Sequence, residues 1–476
     1  MKMIIGGAKT DASDGKVLNA VNPITGEVLD TVPAATKEDV LRCLGLARQG
    51  FAEWRNVPLV NRAAILEAAA REVEKNSDEL AKQMCLEMGR PIMEARYEMS
   101  STVRLMRDFV EYGKHMSGKS YQDPTAAGLG GNIAFTVREP LGVVVCISPF
   151  NYPIETLTFK IIPALLMGNA VVVKPPGDVP LAVIRFIEIL LNAGVAANAL
   201  HVVTGEGATV GDWLVDTPLV NAVNFTGGTQ TGCLIAKKSA AYLHRLVLEL
   251  GGNDAVIVFE DADVAYAVNE SMIRLWNAGQ TCCATKRYLV HNSIRAEFVK
   301  KLSAALATVK MGDPFDPETR MGSMISEKAA IYARKQLDDA VAQGARLVCG
   351  GVRSGAFLSP AILDDVTADM AVAKDEECFA PIFAIIGFDS EDEALAIANA
   401  SSFGLNAGVI TRDANRSMRV ALKLEAGTVV TNSVSQWRSN EAPFGGYKMS
   451  GLGRENLEGS LEEMSQSKTI VIKGVH

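Results

Sequence analysis

Gly142-Val143-Val144-Val145-Cys146-Ile147-Ser148 is an apolar run of strand length, followed by a helical pattern over 154–167 and a second run, Ala170-Val171-Val172-Val173-Lys174. Strand, crossover helix, strand is the repeating unit of a parallel sheet. Working outward, the unit recurs. Apolar runs at 200–204 and 221–226 alternate with helical patterns at 179–193, 208–216 and 230–239. Alternation of this kind predicts a parallel, doubly wound α/β sheet.

A second alternating set begins at 255–259 and continues through 287–290, 347–349, 382–388, 407–410 and 427–431. Its helical patterns lie at 264–276, 294–307, 327–343, 391–400 and 414–423, which predicts a second α/β domain. Ahead of both sets, 37–53, 61–75, 78–88 and 92–115 carry helical apolar spacing with charged faces and read as a half-exposed helical region. The segments 117–139 and 468–473 read as extended strands without crossover helices, and no internal repeat or low-complexity tract is found.

The 476 residues exceed what one compact core needs, and 48% hydrophobic with 21% charged residues is the balance of an ordinary globular protein. A net charge of -8, without clustered Lys and Arg, argues against nucleic-acid binding. No apolar stretch suits a signal peptide or a membrane span, so the expected location is cytoplasmic. The eight cysteines form no C-x-x-C pair and the five histidines no H-E-x-x-H, so neither zinc nor a disulfide framework is expected.

Two reactive groups stand beside glycines. Glu249 lies in Leu248-Glu249-Leu250-Gly251-Gly252, and Cys282 in Asn277-Ala278-Gly279-Gln280-Thr281-Cys282-Cys283. A thiolate is the strongest neutral-pH nucleophile among side chains, and a carboxylate held nearby can activate water against the adduct it forms. Taken alone, either cysteine also fits a buried apolar role.

Glu249-Leu250-Gly251-Gly252 followed by Gly279-Gln280-Thr281-Cys282 resembles the paired active-site signatures of the NAD(P)-dependent aldehyde dehydrogenase superfamily. Further motifs follow the family's order: Ser148-Pro149-Phe150-Asn151-Tyr152-Pro153, Gly168-Asn169-Ala170-Val171-Val172-Val173-Lys174-Pro175, Phe225-Thr226-Gly227-Gly228-Thr229, Glu377-Cys378-Phe379-Ala380-Pro381 and Pro443-Phe444-Gly445-Gly446-Tyr447-Lys448. The resemblance implies a dinucleotide-binding domain over 1–116 and 140–248, and a catalytic domain over 249–449. It also implies an oligomerisation arm over 117–139 and 461–476, in a homodimer or homotetramer. The stretch from Asp263 to Asn277 is a residue shorter than the family pattern, so a count from Glu249 selects Cys283, whereas the local Gly-Gln-x-Cys register selects Cys282. The local register is preferred, because a helix absorbs an indel more easily than a catalytic turn does.

By resemblance, Cys282 is the nucleophile, Glu249 activates the hydrolytic water, and Asn151 donates its amide to the oxyanion. The cofactor is NAD or NADP, held by residues of the matching motifs: Ser148, Pro149, Phe150, Lys174, Pro176, Gly177, Phe225, Thr226, Gly227, Gly228, Leu250, Gly251, Glu377 and Phe379. Gly205 is also counted among the cofactor-binding residues, although the turn it opens, Gly205-Glu206-Gly207-Ala208-Thr209-Val210-Gly211, has a last spacing one residue too long for a dinucleotide fingerprint. NAD-preferring relatives commonly carry a glutamate where this chain has Gly177, so a 2′-phosphate would meet no carboxylate and NADP is accommodated.

Arg104, Tyr152 and Arg438 fall in regions where relatives acting on anionic aldehydes bind substrate, while Thr281 stands where the phosphate-binding ones carry an arginine. The expected substrate is a short aldehyde with an anionic or hydroxylated distal group. The alternatives are a CoA-acylating relative, against which Glu249 argues, and a catalytically silent binding protein of the same fold.

Overall fold

In the computed structural model, which describes residues 1–121 and 132–473, the apolar runs pair as parallel strands. Val143–Ile147 is flanked by Ala170–Lys174, with Val143 opposite Ala170 and Ile147 opposite Lys174, and by Ala222–Thr226. The first sheet runs Ala8–Thr10, Met3–Ile5, Leu200–Val202, Ala170–Lys174, Val143–Ile147, Ala222–Thr226, Arg245–Glu249 and Gly451–Leu452. Chain order moves outward one way from Val143–Ile147 to Leu200–Val202, then the other way through Ala222–Thr226 to Arg245–Glu249. That reversal leaves a crevice beyond the carboxyl ends of the two central strands, where Ser148 and Thr226 stand.

The period of two divides each strand between two cores. Val144, Cys146, Val171 and Val173 face the cluster containing helices Glu155–Leu166 and Pro180–Asn192, whereas Val143, Val145, Ala170 and Val172 face the one containing Lys37–Trp54. Each buried valine contributes roughly 1.5 kcal/mol or more, so a run with both faces covered excludes polar residues until its end at Lys174.

The second sheet runs Arg346–Cys349, Ala361–Asp364, Ile382–Phe388, Arg287–His291, Ala255–Val258, Asn406–Ile410 and Thr428–Thr431. The sequence reading needs correction at several elements. Arg346–Cys349 is an antiparallel edge strand on Ala361–Asp364, as Gly451–Leu452 is on the first sheet, whose other end is the antiparallel pair Met3–Ile5 and Ala8–Thr10. Arg245–Glu249 and Ala361–Asp364 are strands with no counterpart in the sequence reading. The helix expected over 264–276 ends at Ser271 and gives way to a kinked segment, Met272–Gly279.

Nor are the early helices merely half exposed. They bury Glu87, Arg90 and Glu98, because each charge has partners: Arg90 pairs with Glu98, and Glu87 accepts from the backbone N–H groups of Leu181 (2.7 Å) and Ala182 (2.9 Å) at the start of Pro180–Asn192.

Ser465–Ile472 pairs antiparallel with Ile133–Pro140 along its whole length, and Ser120–Tyr121 joins the other side. Ile133, Val471 and Ile472 on this sheet are exposed. The portions 122–131 and 474–476 of the expected arm lie outside the described residues.

Candidate active site

The chain leaves the first sheet at Glu249 and enters the second at Ala255, so the carboxyl edge of one sheet faces the amino edge of the other. A cavity of about 580 Å³ lies there, lined by Asn151, Tyr152, Glu249, Thr281, Cys282 and Cys283 among others.

The thiol turn is held by backbone strain and buried bonds. Asn277 and Ala278 both take left-handed backbone angles (φ 51° and 50°), a conformation costing roughly 1–2 kcal/mol per non-glycine residue. At Gly279 (φ 76°) a Cβ would stand 2.4 Å from the Ala380 carbonyl oxygen, so only glycine fits. Arg274, fully buried, donates to the carbonyls of Gly279 (3.0 Å), Cys378 and Ala380 (both 2.6 Å). Lys286, also fully buried, donates to the carbonyls of Thr281 (3.1 Å) and Cys282 and lies 3.5 Å from the Glu377 carboxylate.

Cys282 is half-buried and faces this cavity. Interaction with the neighbouring Cys283 thiol lowers its pKa to about 7 against the cost of burial, with help from the charges of Lys286 and Arg438. The Cys283 thiol is shifted the other way, its pKa driven well up by the same interaction and by burial. Cys283 packs against Leu405 and Phe444.

Glu249 behaves in the opposite way. Burial, then repulsion from Glu455, push its pKa well above the usual carboxylate range, against the pull of Arg438 and Lys160. Its Oε1 has no hydrogen-bond partner among the described residues, and a Cβ on Gly445 would approach that oxygen to 2.9 Å. Glu455, equally buried, accepts from Lys160 (2.6 Å) and Arg438 (2.8 Å), and those cations lower its pKa despite burial. Lys160 also donates to Asn224 Oδ1 at 3.0 Å.

Asn151 follows the central strand. Its side-chain Oδ1 accepts from the Tyr152 N–H (3.1 Å), leaving the amide NH2 as the group free to donate into the cavity. Its main-chain carbonyl accepts from both Arg90 Nη1 and Asn277 Nδ2, each at 3.0 Å. The Arg90 guanidinium also stacks 5.2 Å over the Tyr152 ring.

The expected cofactor residues gather along the carboxyl edge of the first sheet. Ser148 to Phe150 follow one central strand, and Gly227 and Gly228 follow the other, with Gly228 capping helix Thr229–Ser239. Buried hydroxyls of Ser148 and Thr226 lack partners among the described residues, as a site awaiting a polar ligand would leave them. Lys174 is buried, which brings its pKa down to about 8 against the attraction of Asp178. Next to it Pro176 is buried, Gly177 is exposed, and a Cβ on Gly177 would meet nothing within 4 Å. Gly205 (φ 145°) closes against Val210 on the neighbouring turn. Leu250 is buried, a Cβ on Gly251 would meet the Glu377 carboxylate, Glu377 accepts from the Gly252 N–H (3.1 Å), and Phe379 meets Phe150 edge-on with centroids 5.8 Å apart. These residues fit a dinucleotide.

Of the expected substrate residues, Arg104, Tyr152, Thr281 and Arg438 all line the cavity. The two arginines differ. Arg438 lies between the rings of Phe159 (3.9 Å) and Phe444 (4.3 Å), and its charge is answered by Glu455. Arg104 is exposed on helix Ile92–Gly113 with no ion pair among the described residues.

Sequence reasoning missed Lys286, Lys160, Glu455 and the pair Glu94–Asn277. Lys160 did carry a signal, the one cation inside the apolar helical run 154–167, and Lys286 stands just ahead of an apolar strand. Glu455 and Glu94 carry none, since their partners lie far away in the chain. Among the described residues no group of three or more His, Cys, Asp or Glu could hold a metal ion, and no helix is long and apolar enough to cross a membrane.

Residues 10–470 match the model of the aldehyde dehydrogenase family. An NADP-dependent enzyme of E. coli is 35% identical over 99% of this chain and 98% of its own, with a TM-score of 0.95. An aldehyde dehydrogenase from Brucella melitensis biovar abortus 2308 is also 35% identical, over 99% and 97%, at the same TM-score. Betaine aldehyde dehydrogenase from Staphylococcus aureus, solved with NAD+, is 33% identical over 99% and 97%, again at 0.95. With a family match over nearly its whole length and these structural likenesses, the chain belongs to the aldehyde dehydrogenase family.

Proposed function

We propose that the protein oxidises a short aldehyde to its carboxylic acid through a covalent adduct on Cys282. The observation that carries this reading is one cavity holding a thiol of lowered pKa and an unpaired carboxylate of raised pKa. The Cys282 sulfur bonds the aldehyde carbon, and the Asn151 amide donates to the oxygen as it gains charge. A preorganised donor of that kind contributes roughly 3 kcal/mol to the transition state. Bound NAD(P)+ supplies the acceptor for the hydride. Water then attacks the Cys282 thioester, Glu249 takes a proton from that water, the carbon–sulfur bond breaks, and acid and thiolate are released. A carboxylate of raised pKa is the stronger base for this step, provided the pH is high enough to ionise it.

The dinucleotide rests on the residues named above, with Lys174 and Glu377 directed to its two riboses. The NAD+ of the S. aureus relative and the NADP of the E. coli one support use of either here, and Gly177 adds no carboxylate against a 2′-phosphate. On this reading 1–116 and 140–248 form the dinucleotide-binding domain, which also lends Asn151 to the chemistry, and 249–449 form the catalytic domain with Glu249 and Cys282. The exposed edge of Ser465–Ile472 pairs with a second copy, in a homodimer or homotetramer. For the substrate we favour an anionic or hydroxylated distal group, with Arg104 as the cation that meets it and Arg438, Tyr152 and Thr281 shaping the wall.

Absorbance of NAD(P)H with a panel of succinic semialdehyde, lactaldehyde, glyceraldehyde 3-phosphate, propanal and butanal tests the reading. Acid must appear without added CoA. Turnover of none of these with either cofactor, or turnover only with CoA, overturns it.

A further inference from the structure

Glu94 sits in the first turn of helix Ile92–Gly113, buried at 8% exposure, and its Oε2 accepts the backbone N–H of Asn277 at 2.8 Å. That N–H opens the left-handed pair Asn277–Ala278, a conformation L residues avoid unless their surroundings impose it. Asn277 passes the constraint on in two directions. Its side-chain Nδ2 donates to the carbonyl of Asn151 (3.0 Å), and its own carbonyl accepts from the backbone N–H (3.0 Å) and side-chain Nε2 (2.9 Å) of Gln280. Gln280 in turn accepts from the Ile325 N–H at 2.9 Å and stands two residues before Cys282.

The Asn151 carbonyl thus has both lone pairs engaged, one by Arg90 on the helical side and one by Asn277 on the thiol side. Nothing in the proposed chemistry uses Glu94: it touches neither the thiol nor Asn151. A buried carboxylate is costly, and this one is spent on a single backbone N–H at the start of the catalytic turn, with the Arg90 charge beside it.

We infer that Glu94 is a positioning residue for the reaction: by fixing Asn277 it sets the thiol of Cys282 and the amide of Asn151 in one mutual geometry. The inference rests on the proposed roles of those two residues. What matters is an acceptor at the right reach, so a glutamine, whose Oε1 can take the same N–H, should serve, whereas alanine and the shorter aspartate should not.

The test is the rate of the first-turnover NAD(P)H burst at saturating aldehyde in the full-length protein, read beside the Kd for NAD(P)+. Glu94→Ala should slow the burst at least about tenfold and Glu94→Gln by less than about threefold, with the cofactor Kd within about twofold in both, since a small misplacement of reacting groups costs rate rather than cofactor affinity. Where Glu94→Ala does not fold, Glu94→Asp is read instead and should fall well below Glu94→Gln. An unchanged burst in Glu94→Ala, an equal loss in Glu94→Gln, or Glu94→Asp outperforming Glu94→Gln overturns the inference while leaving the reaction intact. A loss matched by weaker cofactor binding also overturns it, because a general structural role would do the same. Where the wild type shows no burst, the same rate is read in a single turnover with enzyme in excess of aldehyde, and undiminished NAD(P)H formation by Cys282→Ala overturns the reading of Cys282 and this inference together.

Discussion

The two edges that meet at the cavity handle buried charge in opposite ways. At the amino edge of the second sheet, donors and cations surround Cys282 and favour its ionised form. At the carboxyl edge of the first, Glu249 is left without a partner on one oxygen and faces the paired anion Glu455, which favours its protonated form. Both groups are drawn towards the middle of the pH scale, one from above and one from below. Environments that push two titratable groups in this way support the proposed division of labour, with the nucleophile on one edge and the general base on the other. Glu455 shows that burial alone is not the cause, since in the same wall two cations keep its pKa low.

Removing the thiol breaks the comparison most severely. Cys282→Ala should reduce oxidation by roughly 10⁴-fold or more, as loss of a nucleophile does. Cys283→Ala should retain most of the activity at alkaline pH, with the acyl adduct found by mass spectrometry on residue 282. Because the Cys283 thiol is the main group lowering the Cys282 pKa, its loss should move the alkylation midpoint of Cys282 upward from about 7. The thiolate fraction grows with pH, so this variant should react more slowly at neutral pH and recover as pH rises. An unmoved midpoint would show that Cys283 does not donate.

On the other edge, Glu249→Gln should slow thioester hydrolysis by roughly 10²- to 10³-fold while sparing the first-turnover burst. In the wild type the hydrolytic step should gain rate with rising pH through the raised pKa of Glu249, the direction expected of a base that must first lose its proton. Equal loss of burst and steady state would assign Glu249 to thiol activation instead.

How far each edge could be read from the chain follows from how local its determinants are. The runs around Val143 and Val171 declare buried strands by composition, and the turn Gly279-Gln280-Thr281-Cys282 declares itself by its register. Arg245–Glu249 escaped notice because it is short and starts with an exposed arginine. The electrostatics were hidden altogether. Lys160 and Glu455 are 295 positions apart, and Glu94 and Asn277 are 183 apart, so no local pattern records either pairing. Arg438 is the instructive case: the sequence offers a cation near the substrate, and the fold gives that charge to Glu455.

That contrast between arginines sharpens the substrate reading. Arg104→Ala should lower kcat/KM for succinic semialdehyde by about tenfold relative to butanal, the size of one charge-assisted contact. Arg438→Ala should instead weaken the fold, by leaving Glu455 with one cation fewer and two rings unstacked, and should affect charged and neutral aldehydes alike. The opposite pattern would return the anion contact to Arg438.

The smallest expected effect concerns the outer end of the dinucleotide crevice, far from either reactive group. Gly177 is exposed, its backbone lies outside the left-handed region, and a Cβ there meets nothing within 4 Å, so Gly177→Glu can be accommodated without strain. A carboxylate several ångströms from a 2′-phosphate in a largely aqueous setting repels it by about 1 kcal/mol, or roughly fivefold in affinity. The same carboxylate can accept from the ribose hydroxyls of NAD, so the ratio of kcat/KM for NAD over NADP should rise by about that factor or somewhat more. Screening separates this from a loss of packing: the shift should shrink as ionic strength rises, whereas a steric effect would not. An unchanged ratio at low salt would mean that residue 177 does not face the adenosine ribose, and the choice of cofactor would then have to lie elsewhere along the edge that carries Lys174.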